Sequence, residues 1–272
     1  MSFDEFEQAI QADQLASANY LRVFVPTDDY VKAFTNQFSQ TLFVRPAAIW
    51  RSKKGALKLV SRFSDQFSYS ADRKNLQMPL ADQFNPFLFD IADTLLQSMN
   101  SNLRNIFYFN QSHPVFGADF NYQRLGGRNF LAAGFESRTT EKTGLGFRWN
   151  FTKNLGLESR AEQGAKISKS NAASLSNRNY NIFYQQIEPK LTLQPGTLWR
   201  ISALFNYKEQ QNRTQKNAFG LGGERSIVRK TGLEFTLSTP EKGSLFLTGN
   251  LIQINYSGLP ESPVGYEMLD GL

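Results

Sequence analysis

Residues 142–151, KTGLGFRWNF, place an apolar side chain at every second position. Leu145, Phe147, Trp149 and Phe151 fall on one face, and Gly146, Arg148 and Asn150 on the other. Residues 230–239, KTGLEFTLST, repeat the device with Leu233, Phe235 and Leu237 against Glu234, Thr236 and Ser238. A period of two is the strand period, because successive side chains point to opposite faces of the pleat. The same alternation predicts strands near 103–110, 115–123, 129–137, 143–151, 155–167, 179–193, 198–209, 226–238 and 244–256. It also predicts one over 56–71, where Leu57, Leu59, Phe63, Phe67 and Tyr69 alternate with Lys58, Arg62, Ser64, Gln66 and Ser68.

Two segments carry helical spacing instead. Ser2 and Glu5 have the form of a capping box ahead of Phe3, Phe6, Ala9 and Ile10, so a short helix is expected from Ser2 to about Ala18. After Pro86, Phe87, Ile91, Leu95 and Met99 repeat every four residues and predict a second helix packed on the sheet. Two strands break pattern. In 179–193 the apolar phase slips from Tyr180, Ile182 and Tyr184 to Ile187, Leu191 and Leu193, and Pro189 lies within the slip, which predicts a β-bulge between Gln185 and Glu188. In 244–256, Leu245, Leu247 and Leu251 compete with Phe246, Ile252 and Ile254 for the apolar face.

The connections alternate as well. Residues 152–154, 194–197 (QPGT) and 239–243 (TPEKG) read as tight turns, whereas 168–178 and 210–225 are long and polar. In an up-and-down meander, this puts short turns on one rim and long loops on the other, as in a membrane β-barrel. The two KTGL ladders then run in the same direction and both end at a short turn. Most strands also exceed the ~5–6 residues usual in soluble sheets and suit the ~9–11 needed to cross a bilayer. Trp149, Phe151, Trp199, Tyr207 and Tyr256 sit near strand ends, where headgroup girdles of aromatic residues belong.

Composition narrows the class. The chain has 272 residues, 24 Phe and a net charge of +6, with 30 Lys and Arg interleaved among 24 acids. Such a chain holds ample apolar surface for a fold, has no apolar run long enough for a transmembrane helix, and gives no footing for nucleic-acid binding. With no cysteine, it has neither a disulfide framework nor a thiol nucleophile.

Candidate chemistry is sparse. Arg148, Glu158, Arg160, Glu162, Arg200, Lys208 and Glu234 oppose apolar neighbours on their strands and are expected to face the lumen of a barrel, pairing with one another. The one histidine, His113, lies beside Ser112 in NQSHPVFG and reads as a loop residue, since adjacent extended side chains point to opposite faces. Glu158 and Glu162 share a face and could do acid–base work, but an ionic ladder is the commoner explanation. The LGG stretches at 125–127 and 221–223 read as turn and loop glycine and not as phosphate cradles. No catalytic residue, metal ligand or cofactor is expected, and the chain is read as a non-enzyme.

The stretches FNPFLFDIADTLLQSMNSNLRN (84–105), RNYNIFYQQIEPKLTLQPGTLWRIS (178–202) and SPVGYEMLDGL (262–272) make the chain resemble the strand-rich C-terminal region of large outer-membrane proteins of Gram-negative bacteria. The resemblance implies a membrane scaffold, channel or surface-assembly component in the outer membrane. Its partners would be the lipid bilayer and other cell-envelope proteins, and no functional residue is carried over. The acidic start MSFDEFEQAIQ has no secretory character, and PESPVGYEMLDGL is not a closing strand. The chain is therefore expected to be a fragment, with a signal upstream and further strands missing. The expectation is a mainly β fold, an antiparallel up-and-down meander forming a transmembrane β-barrel or part of one. Residues 1–50 would be a mixed segment with a short helix and 51–272 the meander, with one or two short helices in the first 100 residues. The competing reading is a soluble β-rich binding protein or adhesin domain.

Overall fold

A computed structural model of the chain describes residues 32–88, 94–131, 134–171, 179–216, 222–239, 242–259 and 261–265. The chain divides into two units, Met1–Lys32 and Ala33–Leu272. The expected helix at 2–18 lies outside the described residues. The second unit is one antiparallel sheet of ten strands in sequence order: β1 (Phe34–Val44), β2 (Phe63–Asn75), β3 (Leu96–Phe109), β4 (Phe116–Leu131), β5 (Gly134–Asn150), β6 (Leu155–Ser170), β7 (Tyr180–Leu193), β8 (Trp199–Asn212), β9 (Arg225–Thr239) and β10 (Gly243–Ser257). Among the described residues β1 and β10 are the two unpaired edges, so the sheet is not closed. Short helices accompany it, among them α1 (Ala47–Trp50), α2 (Ala56–Val60) and α3 (Leu80–Phe84).

The repeated ladders are β5 and β9, which run in the same direction and both end at the rim of short connections. From β5 onward the alternation holds. β5–β6, β7–β8 and β9–β10 are joined at 151–154, 194–198 and 240–242, while β6–β7 and β8–β9 are joined at 171–179 and 213–224. Two connections depart from it. Residues 132–133 join β4 to β5 on the long-loop rim, and 45–62 join β1 to β2 on the short-turn rim.

Several expectations need correction. Residues 56–60 are helix α2, and the strand begins only at Phe63. The stripe at 56–60 fits a helical turn as well as a strand, and Gly55, at φ 70°, breaks the chain just before it. The helix expected after Pro86 gives way at its C-terminal end to β3, which includes Met99; residues 89–93 lie outside the described set. The strands expected at 115–123 and 129–137 belong to β4 and β5, because β4 continues through Leu125–Gly127. Those glycines act as seats for side chains: a Cβ at Gly126 would lie 2.9 Å from Ser101 Oγ, and one at Gly127 3.3 Å from Asn100 Oδ1.

No bulge occurs at Pro189. The β6–β7 register is continuous from Leu155↔Leu193 to Ser168↔Tyr180, and the β7–β8 ladder skips Glu188 and Pro189 but resumes in the same register. Proline's missing N–H is thus turned toward β8, where one rung is lost. The phase slip instead marks apolar residues changing faces. Ile182 and Tyr184 are buried on the face shared with Glu162, while Ile187, Leu191 and Leu193 stand exposed on the other. In β10, Leu245, Leu247 and Leu251 pair with Leu237, Phe235 and Thr231, which puts them on the same face as the β9 ladder.

The register thereby sorts the sheet into two faces. One carries Phe120, Leu145, Ala161 and Ile187 in one cross-strand row and Phe116, Trp149, Leu157, Leu191, Ala203 and Leu233 in another. Toward the long-loop rim this face turns polar at Tyr122, Thr143, Gln163, Gln185 and Glu209. The phenol of Tyr122 donates to Glu141 Oε1 at 2.9 Å and that of Tyr207 to Glu209 Oε2 at 3.1 Å, so tyrosines mark the boundary. Tyr256, grouped with them in the sequence, lies on the opposite face.

On β1–β3 the same face is covered near the long-loop rim by residues 76–88. Arg73, buried on β2, donates from Nη2 to the carbonyls of Asp82 (2.9 Å) and Gln83 (2.7 Å) and from Nη1 to that of Asn85 (3.3 Å). Tyr69 donates to the Pro86 carbonyl at 2.8 Å, and its ring stacks on Phe87 at 5.2 Å between centroids. Leu96, Met99 and Phe135 form the small buried apolar core at this end, with Met78, Leu88 and Leu95 against them.

Candidate functional site

The second face is polar, and it curls. One cavity of about 690 Å³ is lined by Tyr108 of β3, Asp119 of β4, Arg148 of β5, Arg160 of β6, Lys190 of β7 and Asn250 of β10, among others. In a flat sheet β3 and β10 would lie about 34 Å apart, at about 4.8 Å per strand. Residues from both lining one cavity of that size require the polar face to be concave. The ion pair between Lys190 Nζ and Glu234 Oε2, 3.0 Å, spans from β7 to β9 over the intervening β8 and has the same cause.

All seven charged residues singled out from the sequence lie on this face. Arg148 pairs with Glu158, Glu158 with Lys190, Glu162 with Gln186 and Gln186 with Lys208; Arg200 pairs with Thr236 and Glu234 with Ser202. They do not converge on one point. Glu162 accepts from the Tyr184 phenol at 2.8 Å and lies 3.5 Å from Lys142 Nζ, which leaves it a structural acceptor apart from Glu158. Arg148 turns outward along the strand and donates to the carbonyls of Gln111 (3.3 Å) and His113 (2.8 Å), clamping the β3–β4 connection. His113 Nδ1 in turn accepts from the Val115 amide at 3.3 Å, so the histidine closes its own turn. Glu188 accepts from Gln186 Nε2 at 2.6 Å and from Asn206 Nδ2. The face is a mixed-sign lattice: Lys142 meets Glu162 on the next strand, Lys190 meets Glu234 two strands away, and Arg148 is taken up by the β3–β4 connection. Among the described residues, no three acidic or histidine side chains are grouped to hold a metal.

Burial changes along this face. Glu158, Arg160 and Arg200 are exposed near the short-turn rim. Ser168, Ile182, Tyr184, Gln210, Asn212, Glu224 and Ser226 are buried near the long-loop rim. The Glu224 carboxylate accepts from Asn212 Nδ2 at 2.8 Å and from the Gly222 amide, and Tyr256 bonds the Leu259 carbonyl at 2.5 Å and Ser262 Oγ at 2.6 Å. Residues 222–226, 256–259 and 261–265 thus fold over the long-loop end of β8–β10. Sequence periodicity gave no sign of this cluster, since Glu224 and Ser262 lie outside any strand. Only the inward phase of Ile182 and Tyr184 hinted that something covers that end.

Gly164 shows how the small residues of this face are used. The Tyr184 ring lies across it, so a Cβ there would fall 2.8 Å from both Cε1 and the hydroxyl of Tyr184, with the Glu141 carbonyl closer still. An aromatic ring laid over a strand glycine pins register. Gly164→Ala is expected to destabilise the fold by about 1–3 kcal/mol through overpacking against backbone, read as a lower denaturant midpoint. An unchanged midpoint would show that the ring is not held there.

No helix among the described residues is long and apolar enough to cross a membrane, which leaves β-strand crossing untouched. No protein-family model, curated protein or solved structure matches the chain.

Proposed function

We propose that the chain is a wall of an outer-membrane β-barrel, or part of one, acting as a membrane scaffold, channel or surface-assembly component and not as an enzyme. The observation that carries this reading is the inversion of the sheet. Leu145, Leu233 and Leu251 are 60%, 61% and 74% exposed on the apolar face, while the charged face is concave. A sheet in water turns its apolar side inward, and a monomer rarely leaves so continuous an apolar surface bare. Lipid covers such a surface without a partner protein. The apolar run of β8 from Trp199 to Tyr207 supports the same reading. It covers about 26 Å of strand at ~3.3 Å per residue, or roughly 20 Å of height at a ~40° tilt, against the ~25 Å band of known barrels. Trp149 and Trp199 stand at the short-turn end of the band, and Tyr122 and Tyr207 at its other boundary.

In this reading the seven charged residues face a wet lumen, the short-turn rim is periplasmic and the long-loop rim is external. An amine-reactive label applied to intact cells is then expected to reach Lys169 and Lys216 and to spare Lys153 and Lys242. Equal labelling of all four would rule out the assigned orientation.

A further inference from the structure

We propose that the β1–β2 connection, residues 45–62, is an interfacial anchor that binds the anionic phospholipid headgroups of the leaflet at the short-turn rim. This rests on the barrel reading and adds a lipid-binding element to it.

Three observations meet in this segment. Arg45, Arg51, Lys53, Lys54, Lys58 and Arg62 fall within it, and no Asp or Glu does, although acids nearly balance bases over the whole chain. Every residue from Arg51 to Val60 is exposed, the apolar Leu57, Leu59 (53%) and Val60 among them, and Ile49 just before is 72% exposed. The segment forms two short helical turns, α1 and α2, in place of the tight turn found at the other connections of this rim. Exposed apolar side chains interleaved with cations of a single sign have little use in plain water. At a headgroup layer the apolar groups enter the acyl boundary while the ammonium and guanidinium groups meet phosphate.

Position supports the assignment. The segment leaves β1 at Leu42 and Val44, which pair with Phe67 and Asp65. Asp65 pairs with Phe107, Phe107 with Phe120 and Phe120 with Leu145. Leu42 and Val44 therefore stand on the apolar face at its short-turn edge, and the basic segment begins where the proposed lipid contact ends. Other occupants are an acidic protein or a nucleic acid, but neither explains the continuity with the apolar face. Among the described residues Arg45 lies 5.5 Å over the Phe43 ring, which ties the first cation of the segment to the end of β1.

The test uses the full chain carrying Ile49→Cys, unique because the chain has no cysteine, labelled with an environment-sensitive fluorophore. It is folded into phosphatidylcholine vesicles with or without phosphatidylglycerol, and protease protection of β5–β10 reports insertion separately. The expected result is a blue shift and loss of iodide quenching that require phosphatidylglycerol and are reversed by high salt. Replacing Arg51, Lys53, Lys54 and Lys58 by Gln should weaken that partition by about tenfold or more and leave insertion intact. Identical emission with and without phosphatidylglycerol in protease-protected protein overturns the anchor and leaves the barrel reading standing. Absence of protection in both lipids removes the barrel reading and the anchor with it. The same blue shift produced by soluble polyglutamate without vesicles would assign the segment to an acidic protein and overturn the lipid proposal.

Discussion

Phe147→Arg is expected to cost about 2–4 kcal/mol of folding free energy in a bilayer, and Phe151→Arg about 0–1 kcal/mol, the depth dependence of a charge on the lipid face of a barrel. Phe147 lies in the row Ala118, Phe147, Ser159, Pro189, inside the apolar band, whereas Phe151 follows the last residue of β5 at the short-turn rim. The penalty at residue 147 should grow in thicker bilayers, because the charge then lies farther from water. The structure makes this test sharper than the sequence allowed. Phe147 is 41% exposed and Phe151 44%, so in a water-soluble sheet both substitutions would be nearly neutral and equal. On the opposite face Thr236→Asp should cost little in either case, because water reaches it. The measurement is equilibrium folding of the variants into thin and thick vesicles. Two small and equal penalties would contradict a lipid-facing band.

Arg73→Met is expected to destabilise the packing of residues 76–88 by about 3 kcal/mol, since two short bonds from a charged donor, to the carbonyls of Asp82 and Gln83, are lost. Asn36 Nδ2 also donates to the Gln83 carbonyl at 2.8 Å, and Tyr69 to that of Pro86, so the segment should loosen without leaving entirely. Limited proteolysis between Leu76 and Leu88 should accelerate strongly in the variant while β5–β10 stay protected. Unchanged cleavage would show that Phe38, Tyr69 and Phe87 hold the segment without Arg73.

The strands were most legible where apolar residues alternate without a break. Leu145 to Trp149 in β5 and Leu233 to Leu237 in β9 do so, and their side chains divide between the faces as the alternation requires. Alternation failed where side chains from another strand decide the backbone's course. Gly126 and Gly127 look like a turn, but they continue β4 because Ser101 and Asn100 need the space that a Cβ would take. It failed again in β7, where Ile182 and Tyr184 face the polar side because residues far along the chain cover that end. Residues 56–60 carry a pattern too short to separate a helical turn from a strand. The polar face itself was readable, since all seven charged positions fall on it. The partner of each was not, because Glu234 meets Lys190, which lies two strands away, and that contact depends on curvature that one strand's sequence does not encode. The buried Glu224 and the carbonyl-binding Arg73 were missed for a related reason, as their contacts to Gly222 and to residues 82–85 depend on the path of connecting segments, which periodicity cannot give.

The most direct measurement of the central claim is refolding of the purified chain from denaturant with and without lipid vesicles, followed by strand-type circular dichroism and protease protection. The membrane-wall account predicts stable, protected β-structure only when bilayer or detergent covers the apolar face. A monodisperse monomer with full β-structure in lipid-free, detergent-free buffer would contradict it.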